Sequence, residues 1–569
     1  MKVTAPPHPR TPAPLALAVV FLATFLTAQD RGLDPARILK PLGDSWPTYS
    51  GDYTGRRYST LTRINQSNVS RMTLAWTARL TDGPPANAPP APPFGPLVPE
   101  VHVGGVGTSD FVGATVVKGS ILAVDGVLYV TAPDNVWALD AEDGHVIWRY
   151  FWRTTGGTHI ANRGAGMWGN HLFFVTPDGY LVSLDARTGK ERWHKEIANF
   201  NQQYFLTSAP VVIDNHVIVG SGNDLDAPGY LQAFEPETGA VQWTFYTVPM
   251  NPGDPGLETW KDLDAARHGG GHPWLPGVYD PETRLYIFGT GNPTPSYTSQ
   301  ARGYGDNLFT CAIVAVHVDT GKMAWYYQTS PHDTHDWDSA QTPVLVDGTF
   351  GGRARTLVLT ASRNGYYFTL DRRTGERLVT SKFSDTVNWA KGLNEKGQPV
   401  RDPAKDHHIA GALVSSNNGG ATNWPPAAYS PDTGLLYVPL AENYAMYYLT
   451  ETDPRGAMGL GGKDEVGVGS VGSSIAAIDY KTGRTVWRHA FRTPGGIGRG
   501  GPGLLTTAGR LLFGGDVSGN FVAFDPANGH TLWHTRIGQV SNAPQTYLVN
   551  GRQHVLVAAG DTLYAFALY

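Results

Sequence analysis

Cysteine is almost absent from this sequence: its 569 residues include one, Cys311. An internal disulfide and a thiolate zinc cluster are therefore excluded, and so is a c-type haem, which needs a Cys-x-x-Cys-His motif. Cys311 lies in the apolar stretch 308–314. We predict that it is an inert core residue, because free cysteines are usually buried.

Charge is also scarce. Charged residues make up 16% of the chain, and the formal net charge of −5 leaves no basic surface for nucleic acid. Beyond the N-terminus, no stretch is long and apolar enough to predict a transmembrane helix. We therefore expect no nucleic-acid partner and no membrane span in the mature chain.

The N-terminus has the order of a secretory signal. Lys2 and Arg10 precede the apolar run 15–26, and small residues follow near Ala28. This order predicts a signal peptide over residues 1–28 and export to the periplasm, with a membrane anchor as the alternative. Residues 29–569 are then expected to form a single domain.

Glycine and proline are abundant, with 68 and 42 residues, which is typical of a turn-rich all-β protein. Eight prolines fall within residues 84–99, and this stiff segment is predicted to be a surface loop. Residues 467–472 match the glycine spacing of a dinucleotide-binding turn, but a strand-like sequence follows where a helix is needed. We predict a flexible loop there.

A short phrase recurs along the chain, with a glycine four residues after an acidic position and a tryptophan four residues later. Its copies are Asp140–Gly144–Trp148, Asp185–Gly189–Trp193, Glu235–Gly239–Trp243, Asp479–Gly483–Trp487, Asp525–Gly529–Trp533 and, without the tryptophan, Asp371–Gly375. A further copy runs from Ala315 to Gly321 and Trp325 and lacks the acidic residue. Self-similarity at 45 to 50 residues indicates one supersecondary unit that stacks on itself. Each unit reads as a small antiparallel sheet, so the chain predicts a β-propeller.

The spacing is irregular in the middle of the chain. From Trp243 to Trp325 it is 82 residues, and from Trp325 to Trp487 it is 162. These intervals are predicted to hold degenerate copies or inserted loops, and insertions on a rigid scaffold commonly carry function.

Polar side chains gather in this middle region. The densest cluster is 331–338, which reads Pro-His-Asp-Thr-His-Asp-Trp-Asp, and it is suited to metal binding or acid/base chemistry. Asp224 and Asn292 each follow a predicted strand, and Trp274 follows three consecutive glycines. Carboxylate and amide oxygens of this kind suit Ca²⁺ or a related cation rather than zinc or copper.

Ordered motifs extend over nearly the whole mature chain. They include residues 46–52, 57–59, 64–65, 162–164, 269–274, 291–293, 363–365 and 423–424, together with Asp336 and the tryptophan turns. With these motifs the chain resembles the pyrroloquinoline quinone (PQQ)-dependent alcohol dehydrogenases. The resemblance implies an eight-bladed periplasmic propeller that transfers hydride from an alcohol to the quinone and passes electrons to a separate acceptor, such as a c-type cytochrome.

The resemblance also implies roles for individual residues. Those implied to bind the cofactor are Trp274, as the floor under the planar quinone, and Arg163, Thr207, Arg363, Asn423 and Trp424. Those implied to bind a Ca²⁺ or lanthanide ion are Asp224, Asn292, Asp336 and Asp338. Asp336 is in addition the implied general base, with Asp333 and Asp338 as the alternatives.

The chain departs from the family at several positions. Gly157-Thr158 stand where many members have adjacent cysteines, and Lys118 stands where members place a glutamate. Ser296 replaces a substrate-pocket tryptophan, which implies a roomier or differently shaped pocket. Asp338 resembles the extra acidic ligand of lanthanide-dependent members, so we expect a lanthanide to activate at least as well as Ca²⁺.

Two other functions stay open at this point. One is oxidation of sugars or polyols by the same chemistry. The other is a non-catalytic propeller that binds proteins, like the outer-membrane assembly lipoproteins. Those lipoproteins are shorter and lack the 332–338 cluster, Trp274 and Asn292, so we expect an enzyme.

Overall fold

The computed structural model describes Met1 and residues 32–83 except 41, 116–222 except 158 and 203, 226–450, 463–491 and 502–569. The predicted signal peptide, the proline-rich stretch 84–99 and Asp224 lie outside the described residues. Among the helices of the described residues, none has the length and hydropathy that crossing a membrane requires.

The described strands form eight successive antiparallel sheets of four principal strands each, which we number as blades 1 to 8. Two strands precede the blades in sequence: β1 (Tyr58–Ser59) and β2 (Met72–Arg79). Blades 1 to 4 follow in order as β3 (Leu122–Val124), β4 (Val127–Ala132), β5 (Asn135–Asp140) and β6 (Val146–Phe151); β7 (Gly166–Trp168), β8 (His171–Val175), β9 (Tyr180–Asp185) and β10 (Glu191–Glu196); β11 (Val211–Ile213), β12 (His216–Gly220), β13 (Tyr230–Phe234) and β14 (Val241–Tyr246); β15 (Val278–Asp280), β16 (Leu285–Gly289), β17 (Ala312–His317) and β18 (Met323–Gln328).

The remaining blades carry the insertions. Blade 5 is β19 (Val344–Phe350), β20 (Arg353–Ala361), β21 (Tyr366–Asp371) and β22 (Arg377–Lys382), and a separate hairpin follows as β23 (Ala390–Leu393) and β24 (Pro399–Arg401). Blade 6 is β26 (Ala428–Ser430), β27 (Leu435–Leu449), β28 (Lys463–Asp479) and β29 (Thr485–Ala490), with β25 (Ala412–Ser415) added beside β27. Blade 7 is β30 (Leu505–Thr507), β31 (Leu511–Gly515), β32 (Asn520–Phe524) and β33 (Thr531–Arg536), and blade 8 contains β34 (Gln545–Val549), β35 (Arg552–Ala559) and β36 (Thr562–Leu568).

The N-terminal strand β2 supplies the fourth strand of blade 8, because it pairs antiparallel with β36. A strand from the N-terminal part of the chain and three strands from its C-terminal end are thereby joined within one sheet, which closes the ring. Helices are short: Pro35–Leu39, Val69–Arg71, Phe200–Gln202, Leu257–Thr259 and Pro403–Lys405 are 3-10 helices, and Leu263–Arg267 is α-helical.

Burial orders the strands within a blade. The first strand is fully buried in blades 3 and 4, and the last strand of the same blades is largely exposed or half-buried. First strands therefore line the inside of the ring, and the loops leading into them meet near its axis. The eight-bladed, all-β architecture is the one that the resemblance implied.

The recurring glycine and tryptophan dock one blade against the next. A Cβ on Gly321 would lie 2.5 Å from the Trp243 ring of the preceding blade, and Gly321 has a φ of +67°. The Trp243 indole Nε1 donates to the Val318 carbonyl at 2.8 Å. Glycine is required here both for its left-handed backbone and for the close approach of the ring. The incomplete copy confirms the pattern, since Gly483 instead faces Val379, which holds the tryptophan position of blade 5.

We expect Trp243→Ala to lower the free energy of unfolding by about 3–5 kcal/mol, because a buried indole is removed. Trp243→Phe keeps the ring contact and loses the hydrogen bond, so about 1 kcal/mol is expected. Urea denaturation measures both. Val379→Ala, in the same register without a tryptophan, is the control and should cost less than Trp243→Ala; equal losses would contradict the docking role.

The prediction of a flexible loop at residues 467–472 is wrong. These residues lie within β28, which pairs along its whole length with β27. The glycines are accommodated by irregular pairing, with register shifts at Glu442/Asn443 and Tyr444/Ala445. The long partner strand supplies hydrogen bonds that local glycine content does not reveal. The predicted strand leading into the Asp479 turn is confirmed.

Candidate active site

The predicted site residues lie on loops that lead into the innermost strands or connect them. Trp274 precedes β15, Asn292 follows β16, and Arg363 lies between β20 and β21. Residues 331–338, which we call the carboxylate loop, precede β19. Loops of neighbouring blades are thereby brought together, although they are far apart in sequence.

Trp274 forms a buried aromatic surface, with 3% of the residue exposed. The Arg163 guanidinium carbon lies 5.5 Å from the Trp274 ring centroid and 4.3 Å from that of Trp424, within cation–π range of both. The Thr207 hydroxyl donates to the Trp274 carbonyl at 3.4 Å, and the Arg163 amide donates to the Thr207 carbonyl. Two indoles and one fixed positive charge are therefore assembled at one place.

The glycines before Trp274 pack against the loop that carries Asn292. A Cβ on Gly270, where φ is +71°, would lie 2.4 Å from the Thr294 hydroxyl and 2.8 Å from the Asn292 carbonyl. The Gly271 amide donates to the Asn292 carbonyl at 2.9 Å. The close approach that the sequence predicted is thus made by protein backbone, and it fixes Trp274 relative to Asn292.

Asp338 is fully buried and receives hydrogen bonds from two of the other predicted site residues. The Asn292 amide donates to its Oδ1 at 2.7 Å, and the Trp274 indole Nε1 donates to its Oδ2 at 3.0 Å. Arg363 Nη1 lies 3.2 Å from the same Oδ2. Asp338 therefore contacts the aromatic surface of Trp274, the loop that carries Asn292 and the buried guanidinium of Arg363.

Asp336 is the second carboxylate at Arg363. Arg363 Nη1 lies 3.0 Å from Asp336 Oδ1, and the Tyr297 hydroxyl lies 3.4 Å from Oδ2. The backbone of Asp336 is left-handed, with φ of +66°, a conformation that costs free energy for a non-glycine residue. Arg363 thus lies between two buried carboxylates and compensates one of their two charges.

Asp333 holds the carboxylate loop in this conformation. Its Oδ2 accepts hydrogen bonds from the backbone amides of His335, Asp336 and Trp337, at 3.3, 2.9 and 3.1 Å. Burial raises the Asp333 pKa to about 6, although the hydrogen bonds from these amides act to lower the pKa. Since three backbone amides of its own loop donate to this oxygen, Asp333 has a structural role in the carboxylate loop.

The histidines of the carboxylate loop also have structural contacts. His335 stacks on Trp337 at 4.1 Å between ring centroids, and its Nε2 donates to the Lys405 carbonyl. His332 Nδ1 donates to the Gly305 carbonyl at 2.7 Å, and burial lowers the His332 pKa to about 4. The sequence could not separate these imidazoles from catalytic ones, because both stand beside the same carboxylates.

Family models and relatives agree with this geometry. A model described as the glucose/ethanol/alcohol dehydrogenase beta-propeller domain matches residues 46–385. The quinohemoprotein alcohol dehydrogenase ADH IIB of Pseudomonas putida is 31% identical, over 97% of this chain and 79% of that protein. This chain belongs to the PQQ-dependent alcohol dehydrogenase family.

Solved structures support the same membership. The quinohemoprotein alcohol dehydrogenase of Comamonas testosteroni is 29% identical with a TM-score of 0.81, covering 95% of this chain and 83% of that one. A europium-containing methanol dehydrogenase is 27% identical with a TM-score of 0.81, covering 94% and 99%. A second model, described as outer membrane protein assembly factor BamB, matches residues 471–568, within the last three blades.

The side chains present fit the cofactor and cation of this quinoprotein family. Asp336, Asp338 and the Asn292 amide offer hard oxygen ligands, and Asn292 Nδ2 donates to Ser296 Oγ at 2.9 Å, which assigns Oδ1 as the atom for a cation. Trp274 offers a flat surface, and Arg163 offers charge for an anionic group. The fourth predicted ligand, Asp224, lies outside the described residues.

Ser296, which stands where the resemblance implies a substrate-pocket tryptophan, contacts the Asn292 side chain in this quinoprotein. It is fully buried and accepts the hydrogen bond from Asn292 Nδ2. The next residue, Tyr297, faces Asp336 instead, and its ring lies 4.7 Å from His407, which stacks on Tyr447 at 4.5 Å. We call Tyr297, His407 and Tyr447 the aromatic wall. Local sequence patterns do not reveal it, because His407 and Tyr447 come from a distant insertion.

Two other predicted contacts take local partners. Asn423 Nδ2 donates to the Gly419 carbonyl and its Oδ1 accepts from the Trp424 amide, both at 2.8 Å, so it shapes the turn that presents Trp424. Lys118 Nζ donates to the Ile160 carbonyl at 2.8 Å.

Gly157 has a φ of +98°, and a Cβ there would lie 2.2 Å from the Pro177 carbonyl oxygen. Its neighbour Thr158 lies outside the described residues.

Proposed function

We propose that this protein is a PQQ-dependent dehydrogenase that oxidises an alcohol to an aldehyde or ketone and passes the electrons to a separate acceptor. The observation that carries the proposal is the joining of Asp338 to Trp274, Asn292 and Arg363. One carboxylate is thereby placed beside the aromatic floor, the cation ligand and the guanidinium. We further propose that residues 29–569 act as one periplasmic domain after removal of residues 1–28.

Bound PQQ would supply a quinone that accepts two electrons in the form of one hydride, and a bound cation would supply Lewis-acid polarisation of a carbonyl oxygen. Trp274 would hold the cofactor plane, with Trp424 close by. Arg163 would bind an anionic group of the cofactor through its guanidinium. Asn292, Asp336 and Asp224 would hold the cation, with Asp338 next to it.

Asp338 is the carboxylate that we propose as the proton acceptor for the alcohol. A general base must reach the substrate hydroxyl, and the substrate must lie against the cofactor. The contacts of Asp338 lead to the residues proposed for cofactor and cation, whereas those of Asp336 lead to Arg363 and the Tyr297 hydroxyl. These contacts support Asp338 in our proposal, and Asp336, which the resemblance implied as the base, is the alternative that the matched variants compare.

The aromatic wall favours an alcohol over a sugar as substrate. Tyr297, His407 and Tyr447 are all buried and pack ring against ring, and the Tyr297 hydroxyl lies 3.4 Å from Asp336 Oδ2. Such a wall gains free energy from apolar groups and leaves the several hydroxyls of a sugar with few partners.

The direct test of the proposed function is reconstitution with PQQ and Ca²⁺, followed by dye-linked activity on primary alcohols, secondary alcohols and sugars. We expect reduction of the dye with alcohols and little with sugars. Activity on sugars alone would replace the substrate class, and absence of PQQ binding would overturn the proposal.

We expect Trp274→Ala to weaken PQQ binding by at least about fivefold, since an aromatic contact contributes about 1 kcal/mol beyond its buried area. Trp274→Phe retains a ring but loses the indole donor to Asp338. It should therefore bind PQQ better than the alanine variant while turning over more slowly than wild type. Fluorescence titration with PQQ measures the affinity, and an unchanged titration for Trp274→Ala would contradict the stacking role.

A further inference from the structure

Arg302 is a buried cation that the proposed chemistry does not use. Its residue is fully buried, and burial lowers its pKa to about 10. It lies in the loop between β16 and β17, which also contains Asn292 and the segment 293–298. We call residues 290–298 the amide loop.

The Arg302 guanidinium is bonded to both loops that form the site. Towards the amide loop, Nε donates to the carbonyls of Pro295 and Thr298 at 2.8 and 3.3 Å, and Nη2 donates to that of Ser296 at 3.4 Å. Towards the carboxylate loop, Nη2 donates to the Asp333 carbonyl. Since the guanidinium is planar and rigid, these bonds fix the separation of the two loops.

Two of the residues that Arg302 bonds, Asp333 and Ser296, contact proposed site residues directly. Asp333 bonds the Asp336 and Trp337 amides through its carboxylate, and Ser296 bonds the Asn292 side chain through its hydroxyl. Arg302 is itself fixed from the other side, because Nη1 donates to Asn307 Oδ1. The chain of contacts therefore runs from Arg302 to the cation ligand in one direction and to the carboxylates in the other.

We propose that Arg302 is a positioning residue for the reaction, whose buried guanidinium sets the distance between Asn292 and the Asp336–Asp338 pair. This inference rests on the proposed function for its catalytic consequence. A displacement of about 1 Å between reacting groups can cost about 10²-fold in rate. Lysine offers one ammonium in place of the planar fork and cannot keep contacts in both directions.

The chain offers a matched control in Arg57. It is also fully buried, its pKa is also lowered to about 10, and it also donates to backbone carbonyls, those of Leu504, Tyr49 and Pro544. These partners lie away from the two site loops. Arg57→Lys therefore reproduces the loss of a buried guanidinium without a change in the spacing of the site.

The experiment compares Arg302→Lys and Arg57→Lys with wild type, after loading with PQQ and Ca²⁺. Rates are normalised to folded, PQQ-loaded protein. We expect Arg302→Lys to lower kcat by about 10²-fold with KM changed by less than about threefold, while Arg57→Lys keeps the wild-type kcat. A wild-type kcat in Arg302→Lys, or equal losses in both variants, would overturn the inference.

Amide hydrogen exchange gives a second reading that does not depend on activity. In Arg302→Lys the amides of Asp336 and Trp337 should exchange at least tenfold faster, with blade amides unchanged. Unaltered exchange of the carboxylate loop would overturn the positioning role, whether or not the wild type oxidises alcohols. Absence of alcohol activity in the wild type would instead overturn the proposed function. Should Arg302→Lys not fold, Arg302→Gln, which removes the buried charge, takes its place.

Discussion

Replacement of Asp338 by Asn is expected to lower turnover by about 10²-fold or more while PQQ still binds. The substitution keeps the shape of the side chain and removes the proton acceptor. It leaves an amide oxygen to accept from the Asn292 amide or from the Trp274 indole. Trp274 and the loops that carry Asn292 and Asp338 should therefore stay in place. The measurements are kcat on the best alcohol and PQQ affinity by fluorescence titration.

Asp336→Asn is the matched variant, because it removes the neighbouring carboxylate from the same Arg363. We expect a smaller loss of kcat, together with a weaker response to added cation. If Asp336→Asn lost far more turnover than Asp338→Asn, the base would be Asp336, as the sequence alone implied. Equal, small losses in both would place the base outside this pair.

Removal of the cation is expected to abolish activity, and Ca²⁺ is expected to restore it at least as well as La³⁺. Asp336 and Asp338 bring two negative charges, but the Arg363 guanidinium lies within 3.2 Å of both and compensates one of them. Asp338 is further satisfied by hydrogen bonds from an amide and an indole. With Asp224 as the further proposed ligand, three carboxylates and one guanidinium leave two negative charges for a cation, which suits a divalent ion better than the three carboxylates counted from the sequence.

Asn292→Asp is the sharp comparison for this prediction, since it adds one carboxylate in the same shape. We expect it to shift the preference towards La³⁺. The assay is the activity of metal-free enzyme against added Ca²⁺ and La³⁺, in wild type and variant. Strong activation of wild type by La³⁺ with none by Ca²⁺ would show that Arg363 does not compensate the site and that the ion is trivalent.

Much of the fold follows from local sequence patterns. The repeated spacing of glycine and tryptophan, as in Gly321 and Trp325, predicts blade turns. The turn needs a left-handed glycine and a flat indole, and both are visible within a few adjacent residues. The missing tryptophan at Val379 was likewise visible, and the structure confirms that its blade docks without an indole. Local patterns failed at residues 467–472, where the distant strand β27 determines the conformation.

The sequence by itself determined the family, the propeller of repeated units and the set of residues from which a site could be built. It placed Asp333, Asp336 and Asp338 within six residues, and the resemblance implied Asp336 as the base with the other two as alternatives. Only the tertiary structure shows their different partners, because Asp333 accepts from amides of its own loop, whereas Asp338 accepts from Trp274 and Asn292 across 64 and 46 residues. Which carboxylate faces which donor depends on how neighbouring blades position their loops, and that is a property of the closed ring rather than of any local pattern.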